Sequence, residues 1–312
     1  MSYAFKLSCL SLAAFFLVHL AAGMAAGWAT PRAIRMAGRM QARAAARFLL
    51  TVRFAPLALA GFVVAVLCVP SYVWFEPDVD AEEVGWLCLI AASLSLAIWA
   101  LSFARTARAV LKSRRWLRQA EAREVRLAGE NVWIAKGSAV AVAGFLRPRV
   151  LLSSPVLRVL SPEQLDVALR HERSHSASRD NLKRLLFLLT PDPLPFFRGT
   201  FLGLECAWKK FAEWAADDCA TGGDQERALL LADALVQVAR IDSVLRTPVL
   251  VTSLVDGDLT ARVERLLRPA PEGAPDRWTP AACSVGALAV AVVILQPGAL
   301  AAVYAMLERL IR

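Results

Sequence analysis

Two histidines four residues apart, with a glutamate directly after the first, stand in the stretch His171-Glu172-Arg173-Ser174-His175. On an α-helix, positions i and i+4 share a face, so both imidazoles can reach one metal ion. The glutamate between them then sits beside an ion-bound water and can accept its proton, the chemistry of zinc-dependent peptide hydrolysis. The chain has only three histidines, and the third, His19, lies in an apolar run. A three-histidine site is therefore excluded here, and the remaining protein ligand must be a carboxylate or a thiol. Glu205, Cys206, Glu213, Asp217, Asp218 and Cys219 are the candidates that follow.

The elements that must position these residues are legible around them. Ser161-Pro162-Glu163-Gln164 combines a capping serine, a proline suited to the first helical position and a glutamine that completes a capping box. The spacing predicts a helix from Pro162 to about Leu189, ended by the prolines of the stretch PDPLP at 191–195. A second helix is expected from about Phe196 to Ala220, stopping at Gly222-Gly223. If the two pack antiparallel, equidistant positions meet. His175 precedes Pro191 by 16 residues and Glu213 follows Pro195 by 18, so they lie about 24 and 27 Å from the turn. Glu205, at about 15 Å, falls short. Glu213 is thus the expected third ligand, and Asp217, one turn on, the expected hydrogen-bond acceptor for a ligand imidazole. Cys219 lies about 240° around the helix from Glu213 and points elsewhere.

Around this pair, the short apolar runs 132–136, 139–145 and 150–153, punctuated by Gly137 and Arg147-Pro148, predict a small antiparallel sheet whose edge could take an extended peptide. Further helices are expected over 226–246 and 258–268. With no spare histidine, and with Tyr3, Tyr72 and Tyr304 in or beside apolar runs, oxyanion stabilisation falls to zinc, a backbone N–H or an arginine such as Arg179.

Composition places the whole in a membrane. The chain is 57% hydrophobic, with a mean hydropathy of +0.48, and the excess is clustered. Residues 7–26, 54–75, 84–104 and 278–307 carry no charge, and each run is long enough to cross about 30 Å of hydrocarbon as a helix. The expected fold class is a mainly α membrane protein. Residues 1–106 hold three spans, 107–277 an inserted α+β domain that begins as a basic helix over 107–128, and 278–312 a fourth span with a short tail. The loop of Glu76, Asp78, Asp80, Glu82 and Glu83 is purely acidic, whereas Arg105 to Arg126 is strongly basic. The positive-inside rule then puts the N-terminus outside and the domain in the cytoplasm of a multi-pass inner-membrane protein.

Other classes fit less well. A cleaved signal peptide over the first run would export the segment holding Arg32, Arg35, Arg39, Arg43, Arg47 and Arg53, which has no acid. The net charge of +9 invites a nucleic-acid reading. Yet the arginine stripe lies between two spans, where anionic lipid headgroups are the nearer partner, so membrane lipid is expected and direct nucleic-acid binding is not. Six cysteines, four of them in apolar runs, do not make a disulfide scaffold.

Taken in order, Gly144-Phe145-Leu146-Arg147-Pro148-Arg149-Val150-Leu151-Leu152, Leu160-Ser161-Pro162-Glu163-Gln164-Leu165, the His171–His175 motif with Arg179-Asp180-Asn181, and Glu213-Trp214-Ala215-Ala216-Asp217 resemble the metallopeptidase domain of the BlaR/MecR-type membrane sensors. The ordered match covers about residues 130–225. It implies a gluzincin-like fold, Zn2+ held by His171, His175 and Glu213, Glu172 as general base and Asp217 as supporting carboxylate. It also implies a cytoplasmic protein substrate, of which a transcriptional repressor is the family's example, or self-cleavage, in signal transduction. Arg173 is an unusually polar residue for the motif. Only Ala299–Arg312 follow the last apolar run, too few for an antibiotic-binding sensor. The competing expectation is a non-catalytic receptor or scaffold in which zinc only pins two helices. Glu172 argues against it, since a structural site does not need that residue.

Overall fold

The computed structural model describes residues 3–75, 84–120, 123–127, 130–135, 140–146, 148–193, 198–241, 251–253, 258–268, 301 and 305. The expected fourth span and the acidic loop lie outside the described residues, the isolated positions 301 and 305 apart.

Among the described residues, three long helical segments are apolar enough to span a membrane: α1 (Tyr3–Ala37), a second built from α2 (Ala42–Phe62) and α3 (Val69–Phe75), and α4 (Trp86–Gln119). Between α2 and α3, residues Val63–Cys68 are π-helical, with Val69 N–H bonded to Val64 O. The cause is Pro70, which has no N–H to give the ladder and crowds the carbonyl four residues back, so the turns before it widen. At about 1.5 Å per residue each segment exceeds the hydrocarbon thickness, and its charged end projects beyond it.

The rest of the described chain is a five-stranded sheet with helices on it. β1 (Arg123–Leu127) pairs antiparallel with β2 (Glu130–Ala135), and β3 (Val140–Ala143) pairs antiparallel with β4 (Arg149–Ser153) and with β5 (Val251–Ser253). β2 and β4 run parallel, which gives the order β1-β2-β4-β3-β5. Two expectations are corrected here. The sheet is mixed rather than antiparallel, because β4 inserts between β2 and β3. The basic helix expected over 107–128 ends at Gln119, and Arg123–Leu127 is a strand. Leu127 pairs with Glu130, and strand pairing with β2 prevails over helical continuity. The free edge expected on the 132–153 sheet is likewise covered by β5 on one side and β1 on the other.

The helices that follow are α5 (Ser154–Val159), α6 (Pro162–Ser178), α7 (Asp180–Leu189), α8 (Arg198–Thr221), α9 (Gln225–Ile241) and α10 (Leu259–Leu267). Val140, Leu152, Val156, Leu169, Leu231, Leu235 and Leu266 form the core between sheet and helices. A second apolar cluster, including Leu49, Phe187, Phe201, Trp208 and Phe211, joins α1 and α2 to α7 and α8. Burying a large side chain of this kind contributes about 1.5–3 kcal/mol, so this seam fixes the membrane helices against the pair that carries the site.

One polar junction reinforces the seam. Asp192, in the turn after α7, binds Arg53 at 3.1 Å and Arg105 at 2.6 Å, and Arg53 also reaches Glu205 at 3.1 Å. Arg105 donates further to the carbonyls of Leu188 and Thr190, while His19 Nε2 lies 3.1 Å from Pro191 O. Gly23 lets this turn approach, since a Cβ there would collide with Pro193. Arg53, the last arginine of the acid-free segment, is buried and ion-paired.

Candidate metal centre

The helix carrying the motif starts where its sequence says it should. Ser161 N donates to Gln164 Oε1 at 2.9 Å and Gln164 N donates to Ser161 Oγ at 3.2 Å, closing the capping box with Pro162 at the first position. Gln164 also donates to Asp233 on α9 at 2.6 Å, which fixes the helix about two turns before the histidines.

The far end departs from expectation. The continuous helix predicted to Leu189 breaks at Arg179, a non-glycine residue in the left-handed region with φ 54°. α7 starts afresh at Asp180. Along an unbroken helix Asp180 would stand about 140° around from His175. The break returns its carboxylate to His175 Nδ1 at 2.7 Å, with Lys183 Nζ on its other oxygen at 2.8 Å. Asn181 Nδ2 donates to Val142 O and Gly144 O, tying the joint to β3. Left-handed backbone costs a non-glycine residue about 1–2 kcal/mol. Here that strain purchases an orienting carboxylate. Arg179, expected as an oxyanion partner, is exposed and serves as the joint.

α8 brings the remaining groups and ends as expected, at Gly222 and Gly223, both with positive φ. His171 Nε2 and His175 Nε2 stand 3.1 Å apart, and Glu213 Oε2 lies 3.5 and 3.4 Å from them. All three residues are buried. Asp217 Oδ1 lies 2.9 Å from His171 Nδ1. Of the carboxylates and thiols considered from sequence, Glu213 and Asp217 meet the histidines, Glu205 and Asp218 bind arginines elsewhere, and Cys206 and Cys219 are exposed.

Two residues that sequence reasoning missed complete the cluster. Arg262, from α10, grips Asp217 with Nη2 at 2.6 Å and Nε at 3.0 Å and stands 3.3 Å from Glu213 Oε2. Arg184, from α7, lies 3.6 Å from Glu213 Oε1. Arg262 follows Asp217 by 45 residues with no local pattern to mark it. Asp180 sat inside the quoted Arg179-Asp180-Asn181 block, but only the break gives it a role.

The donor set fits a divalent ion. A carboxylate faces each Nδ1, at 2.7 Å from His175 and 2.9 Å from His171, and as an acceptor favours the proton on that nitrogen. In the neutral imidazoles both Nε2 atoms then offer lone pairs toward each other and a carboxylate oxygen. Three lone pairs pointed at one another require a cation between them. In a tetrahedral zinc site with bonds of about 2.0–2.1 Å, ligand atoms stand about 3.3–3.4 Å apart; the observed 3.1, 3.4 and 3.5 Å bracket that value. Both oxygens of Glu172 are buried without a hydrogen-bond partner, a costly state for an ionised group unless a ligand or water completes it.

Electrostatics agree. Burial opposes charge on His175, but the Glu213 carboxylate and the bond to Asp180 outweigh it and push its pKa up to about 10. Burial alone would raise Glu213, yet the charge on His175 and hydrogen bonds from both histidines hold it well below the usual carboxylate range. Without a metal ion, a proton does the work of the missing cation. Glu172 differs: burial pushes it up to about 7, against the pull of the two histidines. That value suits a group that takes and returns a proton near neutrality. His171, His175 and Glu213 together could hold a metal ion. No protein-family model matches the chain, and no curated protein matches it.

Proposed function

We propose that the chain is an integral membrane zinc peptidase that hydrolyses peptide bonds of a cytoplasmic protein substrate, or of itself, in signal transduction. The observation that carries this reading is the convergence of three buried ligand atoms, all from His171, His175 and Glu213, beside a Glu172 whose two oxygens have no partner. Bound zinc supplies Lewis acidity toward a peptide carbonyl and toward water. Every other part is the protein's own. Glu172 accepts a proton from the attacking water and returns it to the leaving amine. Asp180 and Asp217 fix which nitrogen each histidine offers. Arg262 restrains Asp217 and neutralises part of the carboxylate charge, and Arg184 stands ready on the other side of Glu213.

A purely structural zinc site would close its fourth position with a protein ligand. Among the described residues only three groups converge, which supports an open, reactive position. The acidic 76–83 loop and the basic 105–126 segment support a cytoplasmic site with the N-terminus outside. The ordered resemblance to BlaR/MecR-type sensors supports a repressor-like substrate.

The test is Glu172→Gln in the full-length protein, co-expressed with a candidate substrate. Cleavage should fall by about 10²–10⁴ while zinc content stays at the wild-type level. Undiminished cleavage by a variant that still holds zinc would remove Glu172 from the mechanism.

A further inference from the structure

A cleft of about 350 Å³ opens between α2 and the outer faces of α6, α7 and α8. It is not the reaction face. Ser174 and Ser178, which line it, project about 160° and 120° away from Glu172 around α6. Arg43, Arg47 and Lys183 converge on it against a single carboxylate, Asp180, which is already engaged by His175 and Lys183. Arg43 and Arg47 are exposed, and no ion pair engages either among the described residues. Lys183 gives one donor to Asp180 and keeps others free to bind. Leu50 and the buried Trp208 supply an apolar wall.

The cleft's level in the membrane is fixed by sequence. The charge-free stretch of the second span starts at Phe54, about 10 Å along the helix from Arg47. The interfacial zone beyond the hydrocarbon is about 5–8 Å deep, and an arginine side chain bridges the remainder by reaching toward it. A cationic pocket with one apolar wall, at headgroup depth, matches a phosphate diester attached to acyl chains better than a free anion, which gains nothing from the wall.

We propose that this cleft is a binding site for the phosphate of an anionic phospholipid, held by Arg43, Arg47 and Lys183. It sits on the back of the helix carrying the two histidines, independent of whether the chain is a peptidase. The other arginines of the sequence stripe do not share it: Arg32 stacks on Trp28, and Arg53 is buried at Asp192. The site is a specific pocket rather than a diffuse basic face.

Purified full-length protein in neutral detergent, titrated with phosphatidylglycerol or phosphatidylcholine and followed by native mass spectrometry, tests the assignment. Phosphatidylglycerol should bind more tightly, and the double variant Arg43→Gln, Arg47→Gln should weaken it by about tenfold or more. The charge-conserving Arg43→Lys, Arg47→Lys should keep most of the binding, which separates recognition from any loss of fold. Removing equal charge with Arg32→Gln, Arg35→Gln should leave it unchanged. Equal loss in that control, or equal binding of the two lipids, would overturn the site. Glycerol phosphate binding as tightly as the lipid would show that the ligand is a soluble phosphate instead.

Discussion

Two clusters of buried charge sit at opposite ends of α7, and they differ in what they leave unsatisfied. At the Asp192 junction, Arg53 and Arg105 face Asp192 and Glu205, every contact falls between 2.6 and 3.1 Å, and no side-chain polar atom of the four is buried without a partner. At the His171 end, both Glu172 oxygens are buried without a hydrogen-bond partner, Glu213 is met only by ion-pair contacts between 3.3 and 3.6 Å, and two imidazole nitrogens face each other at 3.1 Å. The first cluster is complete as it stands. The second could hold a metal ion, with the Glu172 carboxylate beside it open to a proton. Buried charge therefore does not mark a functional site; incompleteness does.

The contrast can be broken from either side. Asp192→Ala should leave Arg53 with Glu205 alone and Arg105 without its carboxylate, and destabilise the protein by about 1–3 kcal/mol, read as a fall in melting temperature. Zinc stoichiometry of the folded fraction should not change; parallel loss of zinc would erase the distinction between the clusters. At the other end, Asp180→Asn removes the carboxylate that orients His175 and should weaken zinc binding by about 10–100-fold, measured by competition with a chelator.

The same cluster predicts a pH dependence of known sign. His175 has its pKa raised in the metal-free protein, to about 10, so at neutral pH it carries a proton that zinc must displace. Zinc affinity should then rise with pH by about tenfold per unit for each proton released, and fall as pH drops. Calorimetry in buffers of different ionisation enthalpy should show proton release on binding; none would mean His175 is already neutral. The smallest effect belongs to the joint between α6 and α7. Arg179→Gly relieves a left-handed residue and should be neutral or stabilise by about 1 kcal/mol, whereas Arg179→Val should destabilise.

Local chemistry made much of this legible in sequence. The capping box at Ser161, the shared face of His171 and His175, and the Gly222-Gly223 stop each depend on neighbours within one or two turns. Glu213 was reached by counting residues from the proline turn along two straight helices. The break at Arg179 removes part of that premise, and the placement survives because α8 is continuous and packs along α6. Contacts made at long range were not legible. Arg262 reaches Asp217 from α10, and β4 inserts between β2 and β3. Arg53 meets Asp192 from 139 residues away, a partner that its place at the end of an acid-free segment does not announce. The bend at Arg179 has no glycine or proline to announce it; tertiary ties from Asp180 and Asn181 impose it.

The most direct measurement is zinc K-edge absorption on the purified full-length protein, alongside metal analysis of the wild type and Glu213→Ala. One zinc per chain is predicted, bound only by nitrogen and oxygen at about 2.0–2.1 Å, with binding lost or greatly weakened in the variant. A sulfur neighbour at about 2.3 Å, or full zinc retention without Glu213, would contradict the site.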